Sequence, residues 1–219
     1  MKKRRAIDEL LRIMARLRSP TGCPWDREQS HESIRFHAVE EVYEMIDAIE
    51  AGDDHELEEE LGDVLLQVVF HCQLARERGA FDFDKVARRI AEKLIQRHPH
   101  VFGEAKVKDV DAVWAQWERI KRAEKAGTRH ERASLLDGVP RHLPALLRAE
   151  KLAKKARKAG LIEEERKPGS RGLTRKKVGD TLLELASAAQ RHGWSAEVLL
   201  REATARAEKR WRRKERATQ

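Results

Sequence analysis

No stretch of this chain alternates apolar and polar residues at strand spacing for any length. Where apolar residues recur, they recur at intervals of three and four. Ile7, Leu10, Leu11, Met14 and Leu17 set the pattern near the N-terminus. Residues rich in Ala, Leu, Glu, Lys and Arg carry it onward, with 12 Gly and 6 Pro as punctuation. The expected fold class is therefore all-α, an antiparallel helical bundle joined by short links. The spacing predicts helices over 4–18, from about Ser30 to Ala51, on to about Arg78, and over 84–97 and 110–126. SPTGCPWD breaks the first two apart, AGDD links the second and third with Asp53 or Asp54 as N-cap, and HPHVFGEAKVKDVD reads as a loop because Pro99 stops the helix before it. Residues 1–126 form a first helical domain in this reading and 127–144 a linker. Residues 145–219 form a second helical region, with helices to about Ala159, over 174–192 and over 195–215.

The 219 residues are enough for a real core. No apolar run approaches the roughly 20 residues needed to span a bilayer, so no membrane association is expected. The basic start, MKKRR, runs into Asp8, Glu9 and Arg12, which reads as an amphipathic helix and not a signal peptide. Two cysteines, Cys23 and Cys72, make neither a disulfide framework nor a zinc signature, and a reducing cytoplasm is the expected compartment. The net charge of +8 is uneven: residues 1–130 hold 23 Lys and Arg against 26 Asp and Glu, residues 131–219 hold 23 against 12. A basic second part offers a surface to polyanions, although a solvated helix face is the commoner meaning.

The chemistry-bearing feature is acidic. EEVYE at 40–44 is followed sixteen residues later by Glu60 and Asp63 in ELGDVLLQ. At about 100° per residue, Glu41 and Glu44 share one face one turn apart, and so do Glu60 and Asp63 on the next helix. A short link makes these helices antiparallel neighbours, so four carboxylates can converge across one groove. Glu56, Glu58 and Glu59 read as a solvated face. Asp63 does not, because VLLQVVF behind it is apolar almost all round and demands burial on more than one side. Four desolvated carboxylates would repel and raise each other's pKa values unless a cation joined them. Mg²⁺ suits such oxygen ligands, with Mn²⁺ as its substitute. A di-iron bundle needs two Glu-x-x-His pairs, and only Glu28 to His31 has that spacing near a Pro-Trp loop. Cys23 lacks a nucleophile's partner, and Cys72 lies on the apolar stripe, where an inert buried thiol is expected.

Two cation pairs accompany the acids. Lys93 and Arg97 are four apart and would repel without an anion between them; a solvated basic face paired with Glu92 or Asp84 is the equally weighted alternative. Trp117 and Lys121 repeat the spacing as an aromatic beside a cation, either a stacking platform for a base or a partly buried ring packed on a lysine stem. There is also an internal echo. ELGDVLLQ at 60–67 matches KVGDTLLE at 177–184, and EKLIQR from Glu92 matches EKRWRR from Glu208. The second copy puts Lys177 where Glu60 stands and has no counterpart of the EEVYE helix. It keeps Asp180, Lys209 and Arg213.

Taken together, CPWDREQSHES, EEVYEMIDAIE, EELGDVLLQVVF, EKLIQRHPHVFG and WERIK resemble the MazG family of nucleoside triphosphate pyrophosphohydrolases. The resemblance covers about residues 7–125 and continues weakly into LLDGVPRHLPALLRAEKLAKKA. It implies an all-α Mg²⁺ enzyme that hydrolyses nucleoside triphosphates to the monophosphate and pyrophosphate, and a homodimer. On the family's pattern the metal ligands fall on Glu41, Glu44, Glu60 and Asp63. Glu40 matches the leading Glu, positioned to orient or deprotonate the attacking water. Phosphate and nucleotide contacts fall on Lys93, Arg97, Trp117 and Lys121. The 145–219 region resembles a shortened, degenerate second copy and is expected to be catalytically silent. The competing reading is a non-catalytic helical protein that binds nucleic acid or a regulatory partner through its basic half; the intact first acidic cluster argues against it.

Overall fold

The computed structural model describes residues 5–128, 131–162 and 173–218. These form ten helices, with no strand among the described residues. They are α1 (Ala6–Leu17), α2 (Pro24–Glu28), α3 (His37–Ala51), α4 (Asp54–Glu77), α5 (Phe83–Arg97), α6 (Pro99–Phe102), α7 (Val110–Ala123), α8 (Ala145–Lys158), α9 (Arg175–Arg191) and α10 (Ala196–Thr218). The chain divides into two compact units, Met1–Val113 and Trp114–Gln219.

In the first unit, α3 and α4 make the most extensive helix pair, and α1 packs against α4. The α3–α4 turn is two residues long. Gly52 ends α3 in the left-handed region at φ 69°, which glycine adopts without a Cβ clash. Asp53 then caps α4, its side chain accepting from the backbone N–H groups of His55 and Glu56. So tight a link forces the helices antiparallel. The core gathers Met14, Ile34, Val69, Phe70 and Leu74, with Ile7, Leu10 and Leu11 packed against it. The stripe legible at the N-terminus is thus the face that α1 buries. Arg18, beyond the end of α1, pairs with Glu77 of α4 at 2.7 Å and lies over the Phe70 ring.

Three local departures from the sequence expectation have physical causes. α3 begins at His37, not near Ser30, because serine side chains take the backbone groups a helix would use. Ser33 Oγ accepts from the Ser30 N–H, and Ser30 Oγ accepts from the N–H groups of Glu32 and Ser33. Within the SPTGCPWD break, Pro24 at the first helical position starts α2. Pro99 both stops α5 and starts α6, so HPHVFG is one helical turn and not plain loop.

In the second unit, α10 packs along α8 and against α9. Its core is Leu136, Leu152, Ala156 and Leu161, with Val139 and Trp211 against them. The N-terminus of α8 has no capping side chain of its own; the Glu197 carboxylate of α10 accepts from the Ala145 N–H at 2.9 Å instead. Glu215 of α10 accepts from the Leu135 N–H at 2.7 Å. The Lys155 ammonium donates to the carbonyls of Leu135 and Asp137.

Candidate active site

Glu41 sits in the second turn of α3, and Glu60 and Asp63 sit in the second and third turns of α4. The antiparallel turn carries them together. One carboxylate oxygen from each lies within 4.8 Å of the other two, and all three residues are half-buried. Glu44, one turn beyond Glu41, is more exposed but shares the field. Desolvation, then the charges of Glu60 and Glu41, raise its pKa above the ordinary carboxylate range. Glu60 is raised likewise, first by desolvation and then by Asp63 and Glu41. Glu60 Oε2 is buried with no hydrogen-bond partner. Glu40 lies outside the trio, exposed and 3.6 Å from the His37 ring, although its charge adds to those that raise Glu44.

A buried carboxylate oxygen without a donor, surrounded by like charges, is costly unless something positive completes it. The donor set is all oxygen, which suits a hard divalent cation. The residues present therefore fit a metal of that class.

Two further features escaped the sequence reading. Gln67 of α4 donates from Nε2 to Glu41 Oε1 at 3.2 Å, tying the α3 acid to α4, while its own Oε1 is buried without a partner. It is the one polar residue in VLLQVVF, and that interruption was its signal. One turn further on, His71 meets His31 of the loop before α3, their Nδ1 atoms 2.8 Å apart and the rings stacked. Burial, then the neighbouring His31, lowers the His71 pKa. Forty residues separate the two histidines, and no local pattern pairs them.

Lys93 and Arg97 lie on one face of α5, both half-buried. In the second unit, the Lys121 ammonium sits 5.1 Å from the centre of the Trp117 ring and 3.6 Å from the Glu118 carboxylate. Trp114 is 55% exposed and meets Trp117 edge to face. Cys72 is buried, and desolvation raises its thiol pKa, as an inert core thiol requires.

An all-α protein with a two-helix acidic centre is the class these observations define. The family model described as MazG nucleotide pyrophosphohydrolase domain matches residues 29–102, the segment that holds the acids, Gln67, both histidines, Lys93 and Arg97. A protein of Escherichia coli K12 named nucleoside triphosphate pyrophosphohydrolase is 38% identical across 96% of this chain and 87% of its own length. A Thermotoga maritima protein named nucleoside triphosphate pyrophosphohydrolase/pyrophosphatase MazG is 47% identical over 70% of this chain and 58% of its own. A solved mazG-related protein from Thermotoga maritima aligns with 52% of this chain and 97% of its own, at 28% identity and a TM-score of 0.45. The chain belongs to the MazG nucleotide pyrophosphohydrolase family.

Proposed function

We propose that this chain hydrolyses nucleoside triphosphates to the nucleoside monophosphate and pyrophosphate, with Mg²⁺ held by Glu41, Glu44, Glu60 and Asp63. The carrying observation is the convergence of three carboxylates within 4.8 Å together with the unpartnered, buried Glu60 Oε2. When bound, the ion supplies charge neutralisation on phosphate oxygens and lowers the pKa of a coordinated water.

The chain's own groups do the rest. Gln67 holds one oxygen of Glu41 and so fixes which way the carboxylate faces. Glu40, exposed beside Glu41, accepts the proton of the water that attacks the α-phosphorus. Lys93 and Arg97 bind the phosphate chain and offset the charge on the departing pyrophosphate. Trp117 and Lys121 contribute a stacking face and a cation to nucleotide binding, on the strength of their own pairing. The second copy is silent: Lys177 replaces a ligand, and the exposed Asp180 is paired with Lys176 at 3.1 Å.

A homodimer is part of this reading. Val39, Val42, Tyr43, Ile46 and Ile49 of α3 are exposed, as are Leu61, Leu65 and Val68 of α4. So α4 is buried from Val69 to Ala75, while three apolar residues just before that stretch stay uncovered. A contiguous apolar face of this kind calls for a protein partner. Two free cysteines suit a reducing cytoplasm, and no described helix is long and apolar enough to cross a membrane.

The test is pyrophosphate release from a panel of nucleoside triphosphates with Mg²⁺, with and without EDTA. Release that requires the metal is expected. Salt-sensitive nucleic-acid binding with no hydrolysis of any nucleotide would favour the interaction-protein reading instead.

A further inference from the structure

We propose that the second unit carries a separate, metal-independent site for an oligophosphate anion on the C-terminal half of α10. Three of the six arginines of α10 are paired within the helix. Arg201, Arg206 and Arg212 each meet the glutamate four residues earlier, Glu197, Glu202 and Glu208. The pattern then stops. Lys209, Arg213 and Arg216 lie on one face at spacings of four and three, and the charged residues three or four positions from each are all basic. No hydrogen bond or ion pair engages these three among the described residues. The helix dipole favours a cation in the last turn, which accounts for Arg216 but not for Lys209, two turns earlier.

These side chains and Arg212 line a cavity of about 320 Å³, within the roughly 300–1,000 Å³ range of small-molecule sites. Its floor is fixed. Arg212 is held by Asp137 at 2.7 Å and by Glu208 at 2.6 Å, and Glu208 also takes Arg148, a buried arginine, at 2.6 Å. Two arginines against two carboxylates leave that cluster neutral, and Glu215, the buried acid beside Arg216, is taken up by the Ser134 hydroxyl and the Leu135 N–H, so no carboxylate engages Lys209, Arg213 or Arg216 among the described residues. Lys209 and Arg212 also line a cavity of about 540 Å³ with Arg141, Arg148 and Arg201 and the carboxylates Asp137 and Glu208. Three converging cations over about 10 Å of helix match a short phosphate chain better than a single phosphate. In the internal echo, Lys209 and Arg213 are the counterparts of Lys93 and Arg97. The second copy has therefore lost its acids but kept the paired cations.

The experiment is calorimetric titration of the full chain in EDTA, so that the acidic centre holds no metal. The ligands are sodium pyrophosphate, ATP and AMP. Pyrophosphate and ATP are expected to bind with similar affinity, and AMP about tenfold or more weakly. Lys209→Ala with Arg213→Ala should weaken pyrophosphate about tenfold or more with unchanged helical circular dichroism, since neither side chain is packed or paired. The same titration in a Lys93→Ala, Arg97→Ala background, which removes the phosphate contacts of the first unit, should still show pyrophosphate binding that is lost with Lys209 and Arg213. The proposal is overturned if pyrophosphate does not bind, if its binding follows Lys93 and Arg97, or if AMP binds as well as ATP. It is equally overturned if a ten-nucleotide single strand binds this face more tightly than pyrophosphate, because the surface then serves nucleic acid.

Discussion

The acidic centre turns on a few atoms, and its predictions belong to them. Glu41→Gln or Asp63→Asn keeps the side-chain shape and removes one negative oxygen. Either change should abolish turnover while circular dichroism stays helical, and substantial activity in either would reject this ligand set. The pH behaviour follows from Glu44 and Glu60. Desolvation first, and then neighbouring acids, raise both carboxylates in the folded chain. The native state therefore binds protons more readily than the unfolded one, so metal-free protein should lose stability as pH rises from the ordinary glutamate range through these raised values. Mg²⁺ competes with those protons, so its affinity should climb across the same window. Thermal melts in EDTA and in Mg²⁺ at a series of pH values would show the two curves diverging as pH rises; parallel curves would remove the coupling. Spacing alone predicts that Glu41, Glu44, Glu60 and Asp63 converge, because helix geometry fixes which residues share a face, and the first, third and fourth of these place carboxylate oxygens within 4.8 Å of one another. It did not reveal that Gln67 reaches Glu41, because that contact depends on how deeply α3 settles against α4.

At the level of helices, α1 is held by a single apolar stripe. Met14 is 2% exposed within the first core, whereas Ile13 beside it is 50% exposed. Met14→Ala should cost about 2–5 kcal/mol through lost burial and the cavity left behind. Ile13→Ala should stay within about 0.5 kcal/mol. Chemical denaturation of the two variants side by side checks this, and equal losses would mean that α1 docks through a different face. Helix identity was readable from periodicity, and the Gly52–Asp53 turn was readable from its residue types. The first turn of α3 was not, because whether Ser30 and Ser33 cap a helix or tie up a loop depends on the burial of Ile34 next to them, which is 1% exposed. The pairing of His31 with His71 was likewise out of reach, since only tertiary packing brings positions forty residues apart together.

Across the whole chain, two compact units each carry a Gly-Asp-x-Leu-Leu helical segment, ELGDVLLQ and KVGDTLLE, and treat its aspartate differently. The homodimer reading is tested by sedimentation of Val42→Glu with Leu65→Glu. Loss of the dimer is expected, and an unchanged mass would move the partner surface elsewhere. The Lys176–Asp180 contact has its own consequence. In the second unit a tethered ammonium balances the surviving aspartate, so its neutraliser travels with the polypeptide. The first unit must recruit one from its surroundings. Free divalent ion concentration should therefore govern the heat resistance of the first unit and leave the second indifferent, so that scarcity of the ion would loosen the one that gathers the acids while the other stayed folded.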